Sequence, residues 1–257
     1  MNSEGVVVSV SGKGGVGKST VAALILKALV DSGRGSILVV DADPDSNLAD
    51  LLGLETSRTV AEIAAKLKDD IAAGRFPPEF SKRDYFETRI FEILHEEEKF
   101  DLLVMGRGEG EGCYCAVNDL LTSILDTLSK NYSITLMDME AGLEHLSRRT
   151  DRDVDIMVIV VDRSRLSYLT ARRIRDLAKE VHIDFKRIVT VGNRVEPEFE
   201  EVVKKRVEEI GLEYAGLIPV DPNIASYDME GRSLLELPES SPAVKAAKEI
   251  TRKIGLT

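Results

Sequence analysis

The chain is 257 residues long, 43% hydrophobic and 31% charged, with 34 Lys and Arg against 45 Asp and Glu and a formal charge of −11 at pH 7. This is the composition of a folded globular protein with enough apolar material for a sizeable core, and it excludes disorder. The net acidity argues against a broad nucleic-acid face, the lack of Trp removes an indole platform for single-stranded bases, and no apolar run approaches the roughly 18 residues of a membrane span.

Short β-branched runs alternate with segments of helical period, the pattern of an α/β fold with a mostly parallel sheet. The first strand is expected at residues 6–10, and a helix with the stripe Val21, Leu24, Ile25, Ala28 and Leu29 follows shortly after. Between them lies Gly12-Lys13-Gly14-Gly15-Val16-Gly17-Lys18-Ser19-Thr20, which fits G-x-x-x-x-G-K-[ST] in its strand, loop and helix context. Glycines let successive backbone N–H groups turn toward a phosphate and the helix N-terminus adds its dipole. Lys18 supplies a point charge, and the Ser19 hydroxyl can hold Mg²⁺. A nucleotide's phosphates with Mg²⁺ are the ligand this loop calls for.

A second strand, 37–40, ends in Asp41-Ala42-Asp43-Pro44-Asp45. Helices expected at 59–73 and 84–97, separated by the breaker Phe76-Pro77-Pro78, form a helical insertion at about 56–100 within what reads as a single domain over 1–257. The run Glu96-Glu97-Glu98 reads as a solvated helix face. Further strands are expected at 102–105, 134–137, 156–161, 188–191 and 214–218, with a single helical stripe at Val117, Leu120, Leu121, Ile124, Leu125 and Leu128 after the third. The mildly amphipathic segment 243–256 reads as a last helix packing on the sheet. The expected fold is therefore a phosphate-loop NTPase: one mostly parallel sheet of about seven strands with helices on both faces. No charged-then-apolar leader opens the chain, so a cytoplasmic protein with neither membrane nor nucleic-acid partner is expected.

The two cysteines stand one residue apart as Cys113-Tyr114-Cys115, after a stretch with glycine at every second position from 106 to 112. That spacing strains an intrachain disulfide and lacks the C-x-x-C form of a dithiol redox pair, and burial is disfavoured in so glycine-rich and charged a loop. If extended, C-x-C points both sulfurs to one side, and a helix beginning near Ala116 would favour thiolates. Two thiolates make half of a four-ligand site, which a twofold axis would complete from a second chain. All-thiolate chemistry favours zinc, copper(I) or an iron–sulfur cluster before nickel. His95, His145 and His182 are scattered and do not decide among them.

Lys13 makes the loop K-G-G-x-G-K-[ST]. This resembles the deviant phosphate loop of the MinD, ParA, nitrogenase iron protein and arsenite-pump ATPases. The resemblance implies that the nucleotide is ATP or ADP and that Lys13 reaches across a twofold dimer to the partner's nucleotide. It implies that Asp43 positions the attacking water near Mg²⁺ and that Asp138 holds Mg²⁺ ahead of a γ-phosphate sensor at Gly142. Asn193 and Arg194 would read the adenine, with Pro219-Val220-Asp221 closing over it. The segments M-G-R-x-E-G-x-G-C-Y-C-x-x-N at 105–118 and D-M-E-A-G-L-E-H-L at 138–146 further resemble the CooC family, ATPases that serve nickel insertion into carbon monoxide dehydrogenase, with relatives serving acetyl-CoA synthase. That likeness implies a nickel site at Cys113 and Cys115 shared across a homodimer, with zinc as a substitute and the apo-enzyme as client. Two other family readings are an iron–sulfur cluster carrier and a MinD- or ParA-type positioning ATPase.

Overall fold

The computed structural model describes residues 5–56, 58–77, 79–107, 127–140, 154–180 and 185–257. Among them eight strands form one sheet: β1 (Val6–Gly12), β2 (Ile37–Asp41), β3 (His95–Glu96), β4 (Asp101–Val104), β5 (Ile134–Asp138), β6 (Ile156–Val161), β7 (Arg187–Asn193) and β8 (Glu213–Ile218), in the order β3-β4-β2-β5-β1-β6-β7-β8. Every pairing is parallel except β3 with β4. The eighth strand corrects the expected seven. β3 is two polar residues long, too short to leave a periodic signal, and forms only by closing an antiparallel edge on β4.

The strands are buried on both faces, as parallel sheets require. Successive residues serve opposite cores: Val8, Val10, Ile37, Val39, Val158 and Val160 face one layer, and Val7, Leu38, Val40, Met157, Ile159 and Val161 the other. The first layer holds α1 (Lys18–Asp31) and the final helix (Pro242–Lys253), whose Ala243, Val244, Ala247 and Ile250 are buried. The polar face of that last helix turns outward while its apolar face is occupied within the chain. α1 departs from the expected single stripe. Ala22, Ala23 and Leu26 are buried along with the predicted positions, because the final helix and the turn at Leu234 cover the side of α1 turned away from the sheet.

After α2 (Asn47–Leu51), the opposite layer begins with α3 (Val60–Ala72) and α4 (Lys82–Ile93) of the insertion and continues with α5 (Arg165–Glu180) and α6 (Glu200–Glu209). α3 starts at a capping box between Thr59 and Glu62. α4 is capped by Ser81 and begins at Lys82, two residues earlier than expected, and it ends at Ile93 rather than continuing to 97. The chain then turns into β3, so Glu96 lies on a sheet edge and the Glu97 N–H bonds the Phe100 carbonyl at 2.9 Å; these glutamates are solvated, but on a hairpin and not on a helix. No helix among the described residues is long and apolar enough to cross a membrane.

Candidate functional site

Parallel registers bring the marked strand ends together at the carboxyl edge of the sheet, where open α/β folds bind ligands. Gly12 lies beside Val160, Asp138 beside both Val10 and Asp41, and Asn193 beside Ile218. The loop after β1 is shaped by two glycines in particular. A Cβ on Gly12 (φ +154°) would sit 2.6 Å from the Val160 carbonyl oxygen, and one on Gly17 (φ +85°) 2.4 Å from Asn193 Nδ2. Gly14 and Gly15 instead face open space. Gly17 is the N-cap of α1, no side chain caps that helix, and its first turn holds no acid, so its N–H groups and dipole are presented to whatever anion enters.

Lys18 is buried and pairs with Asp43 at 3.3 Å. Asp43 is fixed in turn: its Oδ1 accepts from Asp45 N at 3.1 Å, and its carbonyl accepts from Ser46 N at 2.9 Å. Asp41, fully buried, accepts from Asp43 N at 3.3 Å and from Leu48 N at 3.1 Å, so it ties the segment after β2 to α2. Asp41 had no role among the expectations drawn from the sequence. Its signal was present in the D-x-D spacing.

Asp138 is fully buried and neither of its carboxylate oxygens has a hydrogen-bond partner. Burial pushes its pKa up to about 7; the Ser19 hydroxyl is near enough to temper the rise, while Asp41 adds to it. Burial likewise raises Asp41 to about 6 against the backbone N–H groups of Leu48 and Asp43. An orphaned, charge-starved carboxylate facing a serine hydroxyl fits a divalent cation. Mg²⁺ in particular takes one or two protein oxygens and completes its shell with water and phosphate.

These shifts predict a pH effect. Between the ordinary aspartate value of 3.8 and about 7 the unfolded chain has released a proton that folded Asp138 retains, so this group lowers stability as pH rises through that window. In metal- and nucleotide-free protein, Asp138→Asn should gain about 1–3 kcal/mol on the wild type between pH 4 and pH 8, read from denaturant midpoints. A pH-independent difference would contradict the burial-driven shift.

Lys13 is partly exposed, with Nζ 3.3 Å from its neighbour's carbonyl at Gly14. The β1–β6 register places it level with the end of β6, near Asp162. Burial would raise the Asp162 pKa, but bonds from Ser164 and Ser167 and the charge of Lys13 outweigh it and hold it low. Asp162 carried no sequence signal beyond its place after a strand. Asn193 is buried and donates from Nδ2 to the Val16 carbonyl at 2.8 Å, so it braces the phosphate loop and leaves Oδ1 as its free-standing acceptor function; Arg194 beside it is exposed at φ +54°.

Pro219 and Asp221 follow β8. The Asp221 side chain is the N-cap of α7 (Pro222–Met229) and accepts from Asn223, Ser241 and the Ala243 N–H. It is therefore a clamp joining α7 to the start of the final helix, here α8, at the end of the loop 219–221 that was expected over the base. Thr20 is buried on α1. Cys113, Cys115, Gly142, His145 and His182 lie outside the described residues, as does most of the predicted helix after the cysteines; Leu128 at its end is buried.

Residues 7–234 match the model of the CobQ/CobB/MinD/ParA nucleotide binding domain. The chain belongs to that family. It is an ATPase of the MinD/ParA type. An uncharacterized ATP-binding protein of Methanocaldococcus jannaschii is 48% identical over 96% of this chain and 98% of its own length. The carbon monoxide dehydrogenase accessory protein CooC of Rhodospirillum rubrum is 33% identical over 93% and 91%. Among solved structures, a ParA family ATPase from Chlorobium tepidum superposes with a TM-score of 0.71 at 20% identity, over 99% of this chain and all of that one, which establishes the fold.

Proposed function

We propose that this ATPase binds nickel at Cys113 and Cys115, shared between two protomers, and uses ATP to deliver it to carbon monoxide dehydrogenase or acetyl-CoA synthase during maturation. The observation that carries this reading is the C-x-C pair set within an ATPase 33% identical to CooC over nearly the whole of both chains. In this reading Lys18 and the loop N–H groups from Gly12 to Thr20 grip the β- and γ-phosphates. Ser19, Asp43 and Asp138 would hold Mg²⁺, which when bound neutralises charge on the phosphates. Asp43, fixed by Asp45 and Asp41, orients the attacking water. Asn193 Oδ1 can accept from an adenine amino group while Nδ2 keeps the loop braced, and Arg194 and Pro219 flank the base.

Lys13 reaches the partner's nucleotide, so that ATP favours the dimer and brings four thiolates together; hydrolysis reverses this and frees the nickel. Linkage then requires that nickel tighten nucleotide binding by the same factor as nucleotide tightens nickel. The test is nickel titration of anaerobically purified protein with and without ATP-Mg, read together with solution mass. One nickel per dimer, lost in Cys113→Ala/Cys115→Ala and altered equally in both directions by nucleotide, is expected. ATP-driven dimers that ignore nickel would overturn the reading. A second reading, an iron–sulfur carrier, draws on the cluster carrier protein of Methanocaldococcus jannaschii, 27% identical over 96% of this chain and 84% of its own; visible-region absorbance after reconstitution, absent from the Cys→Ala pair, would favour it.

A further inference from the structure

The helical insertion between β2 and β3 contains a cavity of about 290 Å³ lined by Arg58, Glu62, Ile63, Lys66, Tyr85 and Arg89. On a chain of net charge −11 this wall carries three cations and one acid. The acid is already engaged, since Glu62 accepts from Thr59 N in the capping box of α3. Arg89 is oriented by Glu92 at 2.6 Å and by the Tyr85 ring at 5.1 Å, with Phe76 packed edge-on to that ring. Arg58 and Lys66 are exposed and form no ion pair among the described residues. Arg89 is balanced by Glu92 and Glu62 keeps its charge while bonded to Thr59 N, so Arg58 and Lys66 leave the concave site net positive, and with the stacked arginine and the Tyr85 ring it favours a carboxylate-bearing ligand.

The cavity is too small for a helix and large enough for one or two acidic side chains. Phe80 and Phe91, 53% and 49% exposed on the same insertion, supply apolar surface of the kind that protein contacts use. The site also stands next to Met105 and Gly106, which precede the cysteines in the sequence. Ala61 N, in the first turn of α3, bonds the Met105 carbonyl at 2.9 Å, and a Cβ on Gly106 would lie 2.5 Å from Thr59, so α3 is pressed against the chain just before the glycine-rich stretch begins.

We infer that the Arg58–Lys66–Arg89 cavity of the insertion is a docking site for an acidic segment of a partner protein. This deepens the delivery reading by naming the surface that a client would meet, and its deciding measurement is peptide binding, which involves neither nickel nor hydrolysis, so the two can fail separately. A fluorescein-labelled octapeptide of alternating Asp and Glu is titrated onto the full chain at low ionic strength, with saturating ADP-Mg to fill the phosphate loop. Saturable binding is expected, weakened at least tenfold by Arg58→Glu/Lys66→Glu and undisturbed by inorganic phosphate at the peptide's concentration; ATP turnover of the double variant is expected to match the wild type. Equal binding by the double variant, or no binding by the wild type, overturns the proposal. Displacement by equimolar phosphate also overturns it, in favour of a small-anion site.

Discussion

Replacing Lys18 by Ala is expected to lower kcat/KM for ATP hydrolysis by about a thousandfold, the scale on which a preorganised charge at a phosphoryl site acts. The informative partner is Asp43→Asn. In the nucleotide-free protein the Lys18 ammonium is already neutralised by Asp43 at 3.3 Å in a buried setting, so an incoming phosphate must compete with the carboxylate for it. Removing the negative charge while keeping the shape should therefore bind ATP several-fold more tightly and hydrolyse it at least a hundredfold more slowly. Lys18→Ala loses both properties, and Asp43→Asn separates them. Equilibrium dialysis with a non-hydrolysable ATP analogue, beside single-turnover rates, measures the split. Wild-type turnover in Asp43→Asn would remove Asp43 from catalysis and leave it only a role in holding Lys18.

The phosphate loop, the two aspartate-bearing strand ends and the alternation of strands and helices were all legible because each is local: a motif, a short apolar run, a helical period. What escaped depends on partners distant in sequence. β3 exists only because β4 offers an edge to His95 and Glu96. α1 reads as one stripe until the final helix, more than two hundred residues later, covers its other side. Asp221 has the same character. In the sequence it is a polar residue in the loop expected over the base, and only the fold brings Ser241 and Ala243 to its carboxylate and commits it to structure. Asp41 was the opposite case, visible in the motif but without an assigned task until its bond to Leu48 N showed it tethering the segment that carries Asp43 to α2.

The contact between Gly17 and Asn193 yields the second large effect. Gly17→Ala must place a methyl in the left-handed region at φ +85°, which costs about 1–2 kcal/mol by itself. The new Cβ would also lie 2.4 Å from Asn193 Nδ2, closer than any real contact, so the amide has to leave and its 2.8 Å bond to the Val16 carbonyl is lost. An unsatisfied buried amide costs roughly 1–3 kcal/mol more. Together these should destabilise the fold by about 2–5 kcal/mol and weaken nucleotide binding at least tenfold, because the distorted segment is the one that presents its N–H groups to phosphate. A double-mutant cycle tells the two costs apart. Asn193→Ala removes the obstructing amide, so if collision dominates, Gly17→Ala should be milder in the Asn193→Ala background by about 1–2 kcal/mol of coupling. If the single costs simply add, backbone strain at Gly17 accounts for the damage and the Asn193 amide moves aside without cost. Nucleotide affinity in the same four proteins then shows whether the brace serves binding as well as stability: Asn193→Ala alone should retain the fold and still lose affinity, since the loop would no longer be held in the shape its glycines permit.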